Sequence, residues 1–358
     1  MGVKEKDLPY TDQSFRRQTR VLKEELTNLG IRLTEEQAIS ISFLSRRKYE
    51  RYDLFYPGES FDRRLIDWLE TNFTKNERQI AFGIIQCLKF ISEYEMRELA
   101  VQTFENSKYT ILKELSGESS NNWHSYFEYR NNRLENELAA TIFVACADDI
   151  YFDFFRRYAM RYHQKLKKEN FVEYYKLDKG SLNELPSHNR IFLMDQLSGS
   201  GTTALRYEDD EWKGKIPTFR KIWEDQINDV PIFYSPYILS SVSARNLKQK
   251  IPEYLSEYKL RILVTPTCNI QISPCLSNTE GTDIEEEKPV AKLCSKYYDR
   301  FVEDEHIKKA GPATYGYGKA GLTLILQSNC PNSSIPLLWH DFNDWYPLFP
   351  RITHHREV

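Results

Sequence analysis

The chain has 358 residues, 41% of them hydrophobic and 28% charged, with 49 Lys plus Arg against 52 Asp plus Glu. That balance excludes an intrinsically disordered chain and shows no global basic excess of the kind that marks nucleic-acid binding; only a local basic patch stays open. There is no apolar run long enough for a bilayer, no signal-peptide core at the N-terminus and no C-x-x-C pair among the six cysteines, so a reduced, cytoplasmic protein off the membrane and without a zinc site is expected.

Residues 1–135 read as an all-helical N-terminal domain. TEEQAISISFLSRRKYE opens with a capping-box pattern at Thr34 and Gln37, and ESFDRRLIDWLETNF is amphipathic. TKNERQIAFGIIQCLKFISEYEMRELAVQTF opens with the same pattern at Thr74 and Glu77. It carries Ile80, Ile84, Cys87, Leu88 and Ile91 at helical spacing, which predicts helix throughout. Almost no run in this region looks like a strand. Taken alone, the segment is a packing domain without chemistry.

From about residue 139 short apolar runs alternate with amphipathic stretches. ATIFVACADD, VEYYKL, RIFLMD, VPIFYSPYIL and RILVTPT are predicted strands, and IYFDFFRRYAMRYHQKL, ARNLKQKIPEYLSEY and VAKLCSKYYDRF predicted helices. GLTLILQS and SIPLLWHD are expected to close the chain as paired strands, and EGTDIEEEKP is a solvated acidic loop. Residues 136–358 therefore read as an α/β domain with an open, mostly parallel sheet.

Ligands of such sheets bind beyond the carboxyl ends of the strands. RIFLMD ends at Asp195, the loop Gln196–Gly201 follows, and a helix is expected from near Thr202. N–H groups at a helix start attract anions, Gly199 and Gly201 allow close backbone approach, and Ser198, Ser200, Thr202 and Thr203 add hydroxyls. That is a phosphate cradle; a glycine-rich turn without a ligand is the bland alternative. No lysine follows Gly201, so it is not a P-loop, and G-x-G-x-x-G is absent. The first glycine also comes too late after Asp195 for the usual methyltransferase loop.

The order apolar strand, Asp195, Gln196, three residues, then Ser200-Gly201-Thr202-Thr203 resembles the phosphoribosyl-pyrophosphate loop of type I phosphoribosyltransferases. The resemblance implies that Ser200 to Thr203 hold a 5′-phosphate and that Asp195 binds a ribose hydroxyl. It also implies Mg2+ as cofactor, reached by Asp195 indirectly through the ribose. That family usually has an acid where Gln196 stands. Glutamine bonds a hydroxyl but brings no charge, which puts turnover in doubt.

A second likeness covers most of the chain. Gly316-Tyr317-Gly318, Pro331-Asn332, Pro336, Trp339, Trp345 and Leu348-Phe349-Pro350-Arg351 resemble the C-terminal signature of a divergent phosphoribosyltransferase-like group of prokaryotic conflict systems. ERQIAFGIIQCLKFIS and the W-K-G-K after the loop fit the same group. The likeness implies an antiviral or toxin-like effector that acts at the ribose anomeric carbon on phosphoribosyl pyrophosphate or a nucleotide. Its partners would be proteins of the same operon, with or without nucleic acid. A non-catalytic module that senses a ribose phosphate is the alternative.

Three further groups carry two readings each. Ala147, Asp148 and Asp149 fit the family's pyrophosphate loop, and equally fit acids at a helix start. Asn332, Trp339 and Arg351 fit a hood, with the aromatic on a base and Arg351 on a phosphate or carboxylate; Trp339 as core and PLFPR as a buried tail is the other reading. EWKGKIPTFRKIWED reads as a surface insertion, its Lys213, Lys215, Arg220 and Lys221 available to a partner. Arg245 and Asn246, at a helix start, are weaker candidates.

Overall fold

The computed structural model describes residues 13–116, 132–146, 151–176, 189–223, 230–298, 313–341 and 344–352. In chain order its strands are β1 (Lys89–Ile91), β2 (Thr141–Ala145), β3 (Phe171–Glu173), β4 (Arg190–Ser198), β5 (Arg206–Glu208), β6 (Glu211–Lys213), β7 (Ile232–Ser240), β8 (Ile262–Val264), β9 (Cys268–Ile270) and β10 (Leu324–Leu326). Packing divides the chain into two units, Met1–Glu93 with Ile272–Val358, and Tyr94–Gln271. The sequence boundary at 135/136 marks where helical pattern gives way to strands; packing instead groups the N-terminal helices with the C-terminal segment.

The first unit begins with helices Gln13–Asn28, Glu35–Arg47, Phe61–Asn72 and Arg78–Ile85. Thr34 and Gln37 form the full capping box, with the Gln37 N–H on Thr34 Oγ1 (3.2 Å) and the Thr34 N–H on Gln37 Oε1 (2.8 Å). Thr74 and Glu77 form half of one: the Glu77 carboxylate accepts from the Thr74 N–H (3.0 Å) and hydroxyl (2.6 Å), ahead of a helix that starts at Arg78.

The long helix expected from this segment is broken. The N–H groups of Cys87 and Leu88 close tightly on Ile84 and Ile85 (3.0 and 3.3 Å), and the Lys89 N–H then turns to the Thr323 carbonyl (2.9 Å). Lys89–Ile91 pairs in parallel with β10, so ladder bonds override the helical period over three residues. The expected GLTLILQS–SIPLLWHD strand pair is likewise absent. Pro336–Leu338 is a 3-10 turn opened by a proline that cannot donate to a ladder, and an isolated Leu322–Ser334 bridge joins the two runs.

Helix Phe61–Asn72 holds the C-terminal segment of the same unit. Buried Arg64 donates to the Leu348 carbonyl (3.1 Å) and also bonds Pro347 O and Glu59. Trp68 Nε1 donates to Leu337 O (2.8 Å), and Asn72 exchanges two bonds with the Tyr346 backbone (2.7 and 2.9 Å). PLFPR is thus anchored as a buried tail.

The second unit is the α/β sheet. Its order is β3-β2-β4-β7-β8, all parallel, with β9 pairing the far end of β7. Strands covered on both faces read as continuous apolar runs, and all nine residues of β7 are buried. Phe171, Phe143, Phe192 and Phe233 stand in register across four strands and stack at centroid separations of 5.5, 5.5 and 4.6 Å. Phe104 of helix Glu93–Ser116 and Phe155 of helix Phe152–Tyr162 pack on this ladder (5.9 and 5.3 Å). On the opposite face Ile142, Val144, Ile191, Leu193, Ile232 and Tyr234 share a core with helices Lys215–Trp223 and Ser241–Glu257.

Candidate functional site

β4 continues past Asp195 to Ser198, in register with β7 through Leu197–Ile238 and Ser198–Leu239. Strand alternation therefore sends Asp195 to the face of Ile191 and Leu193, and Gln196 to the other face beside Tyr237. The two positions expected to share one ribose diverge.

Asp195 is 4% exposed. Its Oδ2 accepts from Lys215 Nζ (2.8 Å) and from the Tyr234 hydroxyl (3.0 Å), and its Oδ1 from the Gln196 N–H (3.0 Å). Burial first, then the Asp195 charge, pushes the Tyr234 hydroxyl well above the usual tyrosine range. Tyr237 is pushed the same way for the same two reasons, and its buried hydroxyl has no hydrogen-bond partner among the described residues. Buried polar groups are nearly always paired, so this donor stands out.

Lys215 reaches Asp195 through a hairpin that the sequence reading missed. β5 and β6 pair antiparallel around Asp209 and Asp210, both at positive φ (53° and 58°), as a two-residue primed turn requires. Tyr207 and Trp212 pack across the pair (5.1 Å). At Gly214 φ is 117°, and a Cβ there would lie 2.7 Å from the Ala204 carbonyl, so only glycine fits. The Lys215 and Ile216 N–H groups then bond Thr203 O and Ala204 O (2.9 and 3.1 Å). EWKGK is thus no loose surface insertion; it clamps the backbone behind the Ser200–Thr203 loop and brings a cation to Asp195.

No helix starts at Thr202. The Ala204 and Leu205 N–H groups both close on the Gly201 carbonyl (3.1 and 3.0 Å) as a single turn, and β5 follows at once. The helix-terminus basis for anion binding at this point is therefore lost. The loop rests instead on the first turn of helix Ser241–Glu257. Ser240 caps that helix by accepting the Ser243 N–H (2.9 Å) and donates to Gly199 O. Ser198 and Ser243 hydroxyls meet at 2.7 Å, and Asn246 Nδ2 donates to Ser200 O (2.9 Å). Gly201, at φ 80°, brings its backbone so close that a Cβ would lie 3.0 Å from Ser243 Oγ.

The hydroxyls are unequal. Ser198 and Ser200 are buried, and Ser200 Oγ bonds Thr202 Oγ1 (2.7 Å) and accepts the Thr202 N–H (3.3 Å). Thr202 is half-buried and Thr203 is exposed. The face open to a phosphate is therefore that of Thr202 and Thr203.

Ala147, Asp148 and Asp149 lie outside the described residues. Asn332, Trp339 and Arg351 belong to the first unit, not to the unit of the loop. Trp339 is 4% exposed and donates from Nε1 to Ser334 O (2.8 Å); Arg351 stacks over its ring at 5.3 Å. Asn332 accepts the Tyr317 N–H through its carbonyl (2.8 Å).

Among the described residues no group of three His, Cys, Asp or Glu side chains is disposed to hold a metal ion. Both oxygens of Asp195 are engaged by protein donors, and the ammonium of Lys215 already supplies its counter-charge. These residues do not fit a Mg2+ held directly by the protein at Asp195.

Tyr234, Tyr237, Ser240 and Ser243 escaped the sequence reading, Lys215 was offered only to a partner rather than to Asp195, and Asn246 was only faintly marked. The glycine before Lys215 and the Asp-Asp between two alternating runs were the available signals. No helix among the described residues is long and apolar enough to cross a membrane. No curated protein and no solved structure matches the chain. A family model does: PRTase-CE, of phosphoribosyltransferase type, matches residues 65–351, spanning the Asp195–Thr203 segment and the C-terminal signature.

Proposed function

The chain belongs to the PRTase-CE family, and on that premise we propose that Asp195–Thr203 binds phosphoribosyl pyrophosphate or a related nucleotide and acts at the ribose anomeric carbon. The observation that carries this reading is the loop itself. It leaves the carboxyl end of central strand β4, is clamped by Gly214–Ile216, and turns Thr202 and Thr203 outward. Thr202 and Thr203 would bond the 5′-phosphate, with Ser200 fixing Thr202. Asp195, held by Lys215 and Tyr234, would set the sugar. Magnesium is proposed only as an ion carried by the ligand's pyrophosphate. The setting we propose is prokaryotic antiviral defence in the cytoplasm, alongside proteins of the same operon; the likeness of the C-terminal signature supports it.

A second reading is favoured by the Lys215–Asp195 pair. With the acid neutralised and Gln196 uncharged, little negative charge faces the cation-like centre that forms as pyrophosphate departs. The chain would then bind the ribose phosphate without turning it over and signal to a partner. Calorimetry with phosphoribosyl pyrophosphate and Mg2+, paired with a pyrophosphate-release assay, separates the two. Binding with release supports the enzyme, and binding without release the sensor. Absence of both, across nucleotides as well, rejects the site.

A further inference from the structure

Helix Phe152–Tyr162 of the second unit has two unlike faces. Phe155 and Ala159 are buried, and Phe155 packs on the Phe143 ring of the sheet (5.3 Å). On the outward side Phe154, Arg157 and Arg161 follow one another at spacings of three and four residues, the spacing of one helix face, with Tyr162 beside them; all four are exposed. Phe154 is 37% and Tyr162 59% exposed, so neither ring serves the core. Each ring carries a guanidinium: Arg97 of helix Glu93–Ser116 lies over Phe154 at 5.8 Å, and Arg161 over Tyr162 at 5.7 Å.

The charge of this face runs against that of the chain. The whole sequence has a net charge of -3, yet residues 152–168 hold Arg156, Arg157, Arg161, Lys165, Lys167 and Lys168 against Asp153 alone. Asp153 is taken by Arg156 and by Arg157 (2.6 Å to the latter). Lys165 Nζ donates to the neutral Asn136 side chain (2.6 Å), and among the described residues no carboxylate pairs with Arg161, Lys167 or Lys168. On the neighbouring helix Glu105 bonds Lys108 (2.6 Å) and the Tyr158 hydroxyl (3.2 Å), and exposed Glu98 stands next to Arg97 in sequence. The basic surplus is therefore local, of the kind that a balanced overall composition conceals.

We propose that this face binds single-stranded nucleic acid, with Phe154 and Tyr162 as platforms on which bases stack and Arg161, Lys167 and Lys168 on the phosphates. Strand-tracking surfaces combine these two ingredients: cations that follow the backbone, and exposed rings that take any base by its π-face. Arg97 and Arg161 serve both, since a guanidinium stacks flat and also forks onto a phosphate. A duplex keeps its base faces covered, and an acidic peptide has none, so either partner would use the charges and leave the exposed rings without a role. The face lies apart from the Asp195–Thr203 loop in sequence and does not rest on the ribose-phosphate reading.

The test follows the fluorescence anisotropy of a labelled dT oligonucleotide of about 16 nucleotides, titrated with the full chain between about 50 and 200 mM salt. Wild type should bind saturably and more weakly as salt rises. Lys167→Ala with Lys168→Ala should make the slope of log affinity against log salt shallower by about 1.4, the share of two phosphates on a single strand. Tyr162→Ala should weaken binding about 5- to 100-fold, while Tyr162→Phe, which keeps the ring, should bind as wild type does. Tyr162 is exposed, so both variants should keep the wild-type urea midpoint. Thr203→Ala should leave the affinity for dT unchanged, which separates this face from the loop. Any of four results overturns the proposal: no saturable binding at low salt, equal affinity for the dA·dT duplex or for polyglutamate, wild-type affinity in Tyr162→Ala, or loss of binding in Thr203→Ala.

Discussion

Replacing Lys215 by Met removes the cation from Asp195 and keeps most of the side-chain volume. The pair sits at 2.8 Å with side chains 18% and 5% exposed. At that distance an effective dielectric near 20 gives a gross attraction of about 6 kcal/mol, part of which offsets the cost of desolvating both ions. Breaking one side of a buried pair costs about 3–5 kcal/mol because the other charge is stranded. The Tyr234 hydroxyl and Gln196 N–H remain on Asp195, so the lower end, about 3 kcal/mol, applies here. Asp195→Asn in the Lys215→Met background removes the stranded charge and should recover about 2 kcal/mol of that loss. Urea midpoints followed by tryptophan fluorescence measure this, since Trp212 and Trp223 lie in the same core. A Lys215→Met cost below about 1 kcal/mol, the level of an exposed pair, would refute the reasoning. So would strict additivity of the two substitutions.

Three further outcomes are expected. Gly214→Ala should cost at least about 2 kcal/mol, because its Cβ would lie 2.7 Å from the Ala204 carbonyl at φ 117°; a urea midpoint checks it. Tyr237→Phe removes a buried hydroxyl that has no partner among the described residues, so stability should hold or rise by up to about 1 kcal/mol, which a urea midpoint reads out. Glu77 is half-way through its own contest: burial raises its carboxyl, but bonds from Lys296, Thr74 and Tyr297 outweigh it and hold it down to about 2. An acid with a depressed folded value stabilises above its unfolded value of about 4.3 and loses that contribution as pH falls toward 2. With Lys296 53% exposed the full shift is screened, so Glu77→Gln should cost about 1 kcal/mol at pH 7, with the gap to wild type shrinking in melts at pH 3.

The parts of this fold that show in the sequence are those governed by long runs. β4 and β7 read as strands because both faces are buried and the apolar run is unbroken. The placement of Asp195 near the carboxyl end of a parallel strand follows from that pattern. Lys89–Ile91 does not show, since three residues cannot display a two-residue period against flanking helical spacing. In SIPLLWHD the apolar run suggests a strand, but Pro336 cannot donate to a ladder and opens a 3-10 turn instead. The helix expected at Thr202 rested on the habit of glycine-rich loops; the chain forms a hairpin because Asp209 and Asp210 accept positive φ between Tyr207 and Trp212. The Lys215–Asp195 pair is a contact across a turn and a hairpin, which spacing alone does not encode.

Titrating ribose 5-phosphate against wild type and Thr203→Ala tests the central claim most directly. Thr203 is exposed, so the variant should keep its fold, verified by an unchanged urea midpoint. A hydrogen bond to a charged group contributes about 1.5–3 kcal/mol, so wild type should bind saturably and the variant about 10- to 100-fold more weakly. Equal affinity in the two proteins, or no saturable binding by wild type, contradicts the placement of a ribose-phosphate site on this loop.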